Sequence, residues 1–600
     1  MVSSECQPLT RSFMTWCSTH ARSTTSWALS REHRLDALAM LTICCGYALL
    51  VALANPSGHF ALNDDWGYST PIRWWMEDRV FRLTHWQSMT LVAQLALGIV
   101  WSEIFGFGYL GLRLLVGCLG AIALVCTYVL GRALGLPRVS AAVLPGMLVA
   151  SPIFFTLSLS FMTDVPSLCV ALVALLFFFE TLSQSSKPSL VLFLSGTGLL
   201  LFALLIRETA VGLAAGYASA ELYRQRGAVS RSRRAAVVVV LSAVLIGSFQ
   251  PVLSLFSEIP TALNGKSESM FMLLSDATHL SLGALRPALA ASSNLALYAG
   301  LFALPLVPFL LLQWMRDENR RAFFAVAVGC GVLLLGSVWV QHSWLPLATS
   351  GNALTLEGAG PRLIAGAHDG PQSRWPLLTV CGCASAGVLA SALVLGNIRL
   401  WTNRAESHST RTALILLAVT ALASYLPYCL FYGAWFDRYA LLPSLLLSLC
   451  ALVVTPRPNP NQLVAWLPVP VIAFGACCST ALVHDLFAWQ RARYDLIEAA
   501  ARFGEIEPNE IDGGFEYNNL SFVLAHPAHA VTETCVRGDG RPYRLSKTPL
   551  NHHVIVDAVS TRELLSPKRK IFLLCASDQT DCPQAARSRR NSCCPTAHAE

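Results

Sequence analysis

The sequence is short of charge. Only 13% of its 600 residues are Asp, Glu, Lys or Arg, about half the roughly 25% of an ordinary soluble domain. With so little charge and so much apolar content, a disordered chain and an ordinary soluble enzyme are both excluded. No repeat of fixed period is visible, which sets aside solenoid and propeller arrays. There is no cleavable signal either: the first apolar run follows a polar stretch of about 34 residues and reads as an anchor that stays. Cysteine is not scarce, at 19 residues, but most lie in or near apolar runs, where a thiol behaves as a small hydrophobe. Cys477-Cys478 has no metal-ligand spacing. The net charge of +7 is too small to argue for a nucleic-acid partner, and none is expected.

What is present is hydrophobic sequence: 54% of residues, with a mean hydropathy of +0.51. A membrane-spanning helix needs about 20 mostly apolar residues. Thirteen candidates stand at about 35–54, 109–131, 139–158, 165–183, 189–206, 209–222, 235–256, 294–314, 322–341, 375–396, 412–432, 439–454 and 463–483. Two of them, 209–222 and 439–454, are short. The expected fold class is an all-α polytopic membrane protein of about 13 transmembrane helices with a small α/β C-terminal soluble domain. Its parts are a cytoplasmic tail 1–34, a transmembrane domain 35–483 with a first outside loop 55–108, a soluble extracytoplasmic domain 484–576 and a disordered tail 577–600. With the N-terminus inside, the inner segments carry about 19 Lys and Arg, and the outer loops before residue 484 about 9. The positive-inside rule supports that orientation, and thirteen spans then leave the C-terminus outside.

The C-terminal segment, about 484–600, shifts in composition to 14 basic and 15 acidic residues. Asp512-Gly513-Gly514 and Gly538-Asp539-Gly540 are turn signals, and Ser521–Leu524, Val554–Val556 and Ile571–Cys575 read as strands. Cys535, Cys575, Cys582, Cys593 and Cys594 face an oxidising compartment in this topology, but their pairing does not follow from sequence.

Once the topology is drawn, unusual acids fall on one side. Asn63-Asp64-Asp65-Trp66-Gly67-Tyr68 follows the first run, and Asp164 precedes Pro166 at the end of the third. Arg207-Glu208 sits between the fifth and sixth, and Asp437-Arg438-Tyr439 opens the twelfth. Charge at that depth is costly unless it is paired or used. The apolar stretch Met89–Trp101 is too short to span and fits a helix lying at the interface, with Trp66, Trp74, Trp75, Trp86 and Trp101 as interfacial aromatics. Each site has a plain structural alternative. Asp64 or Asp65 caps the interfacial helix, Asp164 caps the fourth span, Arg207-Glu208 and Asp437-Arg438 are local surface pairs, and Arg113 marks the start of a span.

A long first outside loop with an acidic pair, an interfacial helix, Phe105-Gly106-Phe107-Gly108 with Arg113, Asp-x-Pro at Asp164 and an Arg438-Tyr439 segment late in the chain stand in one order. In this the sequence resembles polytopic GT-C-fold glycosyltransferases, within them the protein O-mannosyltransferase and aminoarabinose transferase superfamily. The resemblance covers about residues 35–455. It departs from the family in having Asp64-Asp65 where Asp-Glu is frequent, and Thr84-His85-Trp86-Gln87 where the approach to the interfacial helix is Pro-rich. It implies sugar transfer from a polyprenyl-phosphate donor to a lipid, glycan or protein acceptor by an inverting single displacement. Asp64 is then the general base, and Asp164 orients the acceptor or helps hold a metal. Arg438 holds the phosphate, with Arg207 and Arg82 as further candidates and Asp65, Glu208 and Tyr439 as substrate-binding neighbours. Cofactors stay unassigned: Asp64, Asp65, Glu208, His279 and His342 are donors on one face, and no spacing picks out a metal site. Short loops and a single tail point to a bacterial inner membrane with a periplasmic site. The competing reading is a transporter or flippase of lipid-linked sugars, but such proteins carry ionisable groups near the bilayer midplane, where this sequence has almost none. A receptor or assembly protein that binds a partner through its C-terminal domain is a third reading. A polymerase or ligase of surface glycans is chemically the same as the main reading.

Overall fold

The computed structural model describes residues 31–184, 189–225, 233–265, 268, 282–347, 353–365, 375–403, 407–430, 435–456, 466–503, 506–526, 541–565 and 569–576. The expected tails before residue 31 and after 576 lie outside the described residues.

Each of the thirteen apolar runs folds as helix wherever it is described. Among the described residues, ten helical stretches are long and apolar enough to cross a membrane: Arg31–Ala54, Tyr109–Ala133, Asp164–Ser183, Arg233–Leu253, Ala288–Met315, Arg320–Gln341, Pro376–Thr402, His408–Cys429, Asp437–Val454 and Pro468–Arg502. The chain is thus an integral membrane protein, overwhelmingly helical. The other three runs give shorter helices, Arg138–Ala150, Leu190–Leu204 and Val211–Arg224, so the expected thirteen comprise ten full-length helices and three short ones. The run 139–158 breaks at Ser151 (φ −82°, ψ 117°) and restarts as Pro152–Leu157, because a residue before proline is driven out of helical backbone.

Burial sorts the helices. Asp164–Ser183 is packed on nearly all sides, whereas Arg31–Ala54, Arg233–Leu253 and Arg320–Gln341 are mostly uncovered. The uncovered positions are apolar, Leu38, Leu41, Val244 and Leu333 among them. Such a surface is a liability in water and the required one in hydrocarbon. Inside, close helix contacts rest on small residues. A Cβ on Gly212 would lie 2.4 Å from the Ser424 amide nitrogen, and one on Gly216 would lie 2.7 Å from the Leu416 carbonyl. This small-xxx-small spacing lets Val211–Arg224 lie directly on His408–Leu430.

The first loop carries two helices, not one. Asp65–Asp78 comes first and is largely buried, and Val92–Phe105 follows at the expected interfacial position. Arg113 folds the loop onto the bundle. Its guanidinium is fully buried, donates to the carbonyls of Pro56 and Gly58 at 2.9 Å and to that of Phe60, and stacks on Phe60 and Phe487.

The C-terminal segment begins inside a helix: Pro468–Phe503 runs for 36 residues straight through position 484. Beyond it stands a four-stranded sheet. Ile511–Asp512 pairs parallel with Tyr543–Ser546, which pairs antiparallel with Lys570–Ala576, which pairs antiparallel with His553–Ser560. Two of the strand expectations hold, but Ser521–Leu524 lies in the helix Phe515–Ala525. A four-residue apolar run does not discriminate strand from helix, and here Gly514 (φ +95°) turns the chain into the helix start. Cys575 is disulfide-bonded, with its partner outside the described residues.

Candidate active site

The acids do not cap their helices. Asp64 occupies the N-cap of Asp65–Asp78 but makes no side-chain cap bond. It accepts instead from the Trp86 indole Nε1 at 2.8 Å and faces Arg438 Nη2 at 3.8 Å. Trp86 reaches it because Thr84 Oγ1 donates to the Gly67 carbonyl at 2.9 Å and Gln87 Nε2 does so at 3.4 Å. Gly67 lets the two segments pack closely, since a Cβ there would press the Trp86 side chain at 3.3 Å. Asp164 opens its helix, and its Oδ1 accepts from Arg207 Nη1 while its Oδ2 faces Arg438 Nε at 4.0 Å.

Four segments far apart in sequence thus converge on two carboxylates and two guanidiniums. Arg207 is tied closely to Asp164, to Thr163 Oγ1 at 3.4 Å and to the Tyr428 hydroxyl at 3.1 Å. Its ring partners Tyr428 and Tyr439 stack on each other at 3.7 Å, with their planes 10° apart. Arg438 stands between Asp64 and Asp164 at the outer limit of ion-pair distance from both, over Phe436 and Tyr439. A charge-assisted pair at full strength measures about 2.7–2.9 Å, so Arg438 is held loosely by its two acids. A small cleft lined by Asp164, Arg207, Tyr428, Arg438 and Tyr439 opens at this point, and Arg207 Nη2 is buried there with no hydrogen-bond partner among the described residues.

Burial divides the acidic pair. Asp65 is sealed at 1% exposure. Burial pushes its carboxyl up to about 8, against the pull of the Arg113 charge. Asp64 is also raised by burial. Arg438 and Trp86 oppose the shift, and Asp164 and Glu516 add to it. Of the two, Asp64 is the one that meets Trp86 and Arg438.

Not every expected residue joins the cluster. Arg82 lies over Trp74, 4.9 Å from its ring. Glu208 opens the single turn Glu208–Ala210 and does not line the cleft, while Arg207 turns from it to Asp164. Asp437 and Arg438 also part. The Asp437 carboxylate accepts from the amides of Ala353 at 3.0 Å and Leu354 at 2.7 Å, which docks the strand pair Leu354–Thr355 and Gly358–Ala359 beside the site. Among the described residues, no group of three or more His, Cys, Asp and Glu is placed to hold a metal ion.

Tyr428, Tyr68 and Phe436 did not stand out in the sequence, and Trp86 did so only as an interfacial aromatic. Nothing local distinguishes Tyr428 within an apolar run. For Tyr68 the signal was its place in the Asp64–Tyr68 stretch.

No protein-family model matches the sequence, and no curated protein matches it. Solved structures similar to it include two of one protein. One is ArnT from Cupriavidus metallidurans in the apo state, at 12% identity and a TM-score of 0.39, covering 90% of this chain and 98% of that one. The other is the same protein bound to undecaprenyl phosphate, at 12% identity and a TM-score of 0.38, covering 91% and 98%.

Proposed function

We propose that the chain is a membrane glycosyltransferase of the GT-C kind, acting at the extracytoplasmic face on a polyprenyl-phosphate sugar. One observation carries this reading: Asp64, Asp164, Arg207 and Arg438 meet at one end of the helical bundle. A lipid-linked sugar phosphate keeps its chain in the bilayer and presents its anomeric carbon and phosphate at that level. In the reading, Asp64 removes the proton from the acceptor hydroxyl or amine. The freed electron pair forms a bond to the anomeric carbon from the side opposite the phosphate, the carbon–oxygen bond to phosphate breaks, and lipid phosphate leaves with the electrons of the broken bond. Inversion follows, with no covalent sugar–enzyme intermediate. A raised pKa suits Asp64 to this task, because a base works best when its pKa approaches the operating pH.

Arg438 stabilises the phosphate as it gains charge, exchanging two distant carboxylates for one bidentate partner. Arg207 adds its unpartnered Nη2, and Asp164 fixes both cations and orients the acceptor. Asp65 and Tyr439 stand beside this core as supports. The acceptor is a lipid, glycan or protein, and the setting is a bacterial inner membrane with the site and the domain 484–576 in the periplasm.

The test is mass spectrometry of lipid-linked sugars and surface glycans in cells carrying the wild-type chain or Asp64→Asn. A polyprenyl-phosphate sugar that accumulates in the mutant, with one glycan modification missing, is the expected result. Unchanged pools at equal expression would overturn the reading.

A further inference from the structure

We infer that the helix Phe515–Ala525 of the C-terminal segment is a working part of this site, with Phe515 as the positioning residue that holds Asp64 through Trp86. The inference rests on the reading of Asp64 as base.

Trp86 donates to Asp64 at 2.8 Å, the one close side-chain donor to it among the described residues, and Trp86 is only partly buried. Its ring is packed by Trp66 at 5.9 Å and by Phe515 at 5.3 Å, the latter edge-on with planes 62° apart. Phe515 also meets Trp66 edge-on at 6.2 Å. Three aromatic rings thus close on one another, two from the first loop and one from more than 400 residues later in the chain. Phe515 packs against the Trp86 ring beside Trp66 and His85, so removing it loosens the rotamer that aims the indole N–H at Asp64.

Phe515 is itself firmly placed. Its amide donates to the Leu363 carbonyl at 3.1 Å. The preceding Gly514 (φ +95°) lies so close to that carbonyl that a Cβ would stand 2.3 Å from it. The following Glu516 is wholly buried and accepts from Arg493 Nη1 at 3.0 Å, while Arg493 Nε donates to the Gly513 carbonyl at 2.8 Å. Val523, one face further along the helix, is buried against the cluster of Ala61, Trp66, Trp74 and Tyr109. A helix needing only a core would not have to reach the ring that touches Asp64. This one does, and Glu516 brings a negative charge within electrostatic range of Asp64. The groups facing Asp64 are then Arg438 at the head of Asp437–Val454, Asp164 at the head of its own helix, Glu516 from this helix, and Asp65, Tyr68 and Trp86 from the first loop.

The test uses the full chain in lipid nanodiscs, with the polyprenyl-phosphate sugar collected from Asp64→Asn cells as donor and undecaprenyl phosphate as a binding probe. Phe515→Ala is expected to lower kcat by roughly ten- to a hundredfold, as small misplacements of reacting groups do. The donor KM and the affinity for undecaprenyl phosphate stay unchanged. The acid limb of the kcat–pH profile moves to higher pH, because Asp64 loses the Trp86 hydrogen bond that opposes its raised pKa. Phe515→Tyr, which keeps the ring, restores both. A loss of kcat equal at every pH, or no loss, overturns the inference. If Phe515→Ala fails to bind the probe and so to fold, Phe515→Leu decides by the same shift in profile. Failure of the underlying reading looks different: the wild-type chain then does not bind undecaprenyl phosphate, and Asp64→Asn leaves the lipid-linked sugars unchanged.

Discussion

At the scale of single residues, neighbouring like groups have been given opposite tasks by burial. Asp65 is sealed and held as a neutral acid up to about pH 8, whereas the ordinary aspartate value is 3.8. The sign of its effect on stability follows. The unfolded chain releases this proton near pH 3.8, and the folded chain keeps it until about 8. The stabilisation is therefore full below the lower value, declines as pH rises between the two, and is gone above the upper one. Thermal unfolding at a series of pH values should show this decline for the wild type. In Asp65→Asn it should be flattened, with turnover largely kept; a steeper decline in the variant would contradict the assignment. Arg438 gives a second prediction. Because its two acids hold it loosely, Arg438→Ala should weaken undecaprenyl phosphate binding by roughly ten- to a hundredfold, given about 1.5–3 kcal/mol for a charged hydrogen bond. An unchanged affinity would remove Arg438 from the phosphate.

At the scale of elements, the helices were legible because a run of about 20 apolar residues has few other solutions in a bilayer. The acids at helix starts were legible as positions. Asp64, Asp65 and Asp164 each had capping as the plain alternative, and only long-range partners — Trp86, Arg113 and Arg207 — show that the caps are not made. The break in composition near residue 484 marked a change of solvent, not the end of a helix: Trp489, Arg493 and Leu496 are buried beyond it and keep Pro468–Phe503 continuous. The short helix Val211–Arg224 depends on Gly212 and Gly216 for its seat on His408–Leu430. Gly216→Val should force the two apart, cost about 1–3 kcal/mol as overpacking does, and disturb the Arg207–Tyr428 contact at their shared end. Thermal melting of the purified protein should show the loss, and undecaprenyl phosphate binding should weaken with it.

At the scale of the whole molecule, the sheet domain is fastened to the loop 353–365. Arg362 and Glu563 are buried together and ion-paired at 3.1 Å, and Lys547 pairs with Glu357. Removing one member of a buried pair leaves a stranded charge at about 3–5 kcal/mol. Arg362→Ala should therefore release the domain, seen as faster proteolysis beyond residue 503 while the transmembrane part stays intact. A reporter fused at residue 600 should appear outside the cell membrane; a cytoplasmic signal would break the sidedness on which the proposed site depends. The long helix Pro468–Phe503 has a consequence of its own. Its 36 residues extend about 54 Å at 1.5 Å per residue, and hydrocarbon occupies only about 30 Å. The remainder is a stiff mast that fixes how high the sheet domain, and the aromatic clamp it carries, can ride above the lipid. Under the proposed function, bilayer thickness then acts as a gauge: a membrane a few ångströms thicker would lift a donor's phosphate against a mast that does not lengthen.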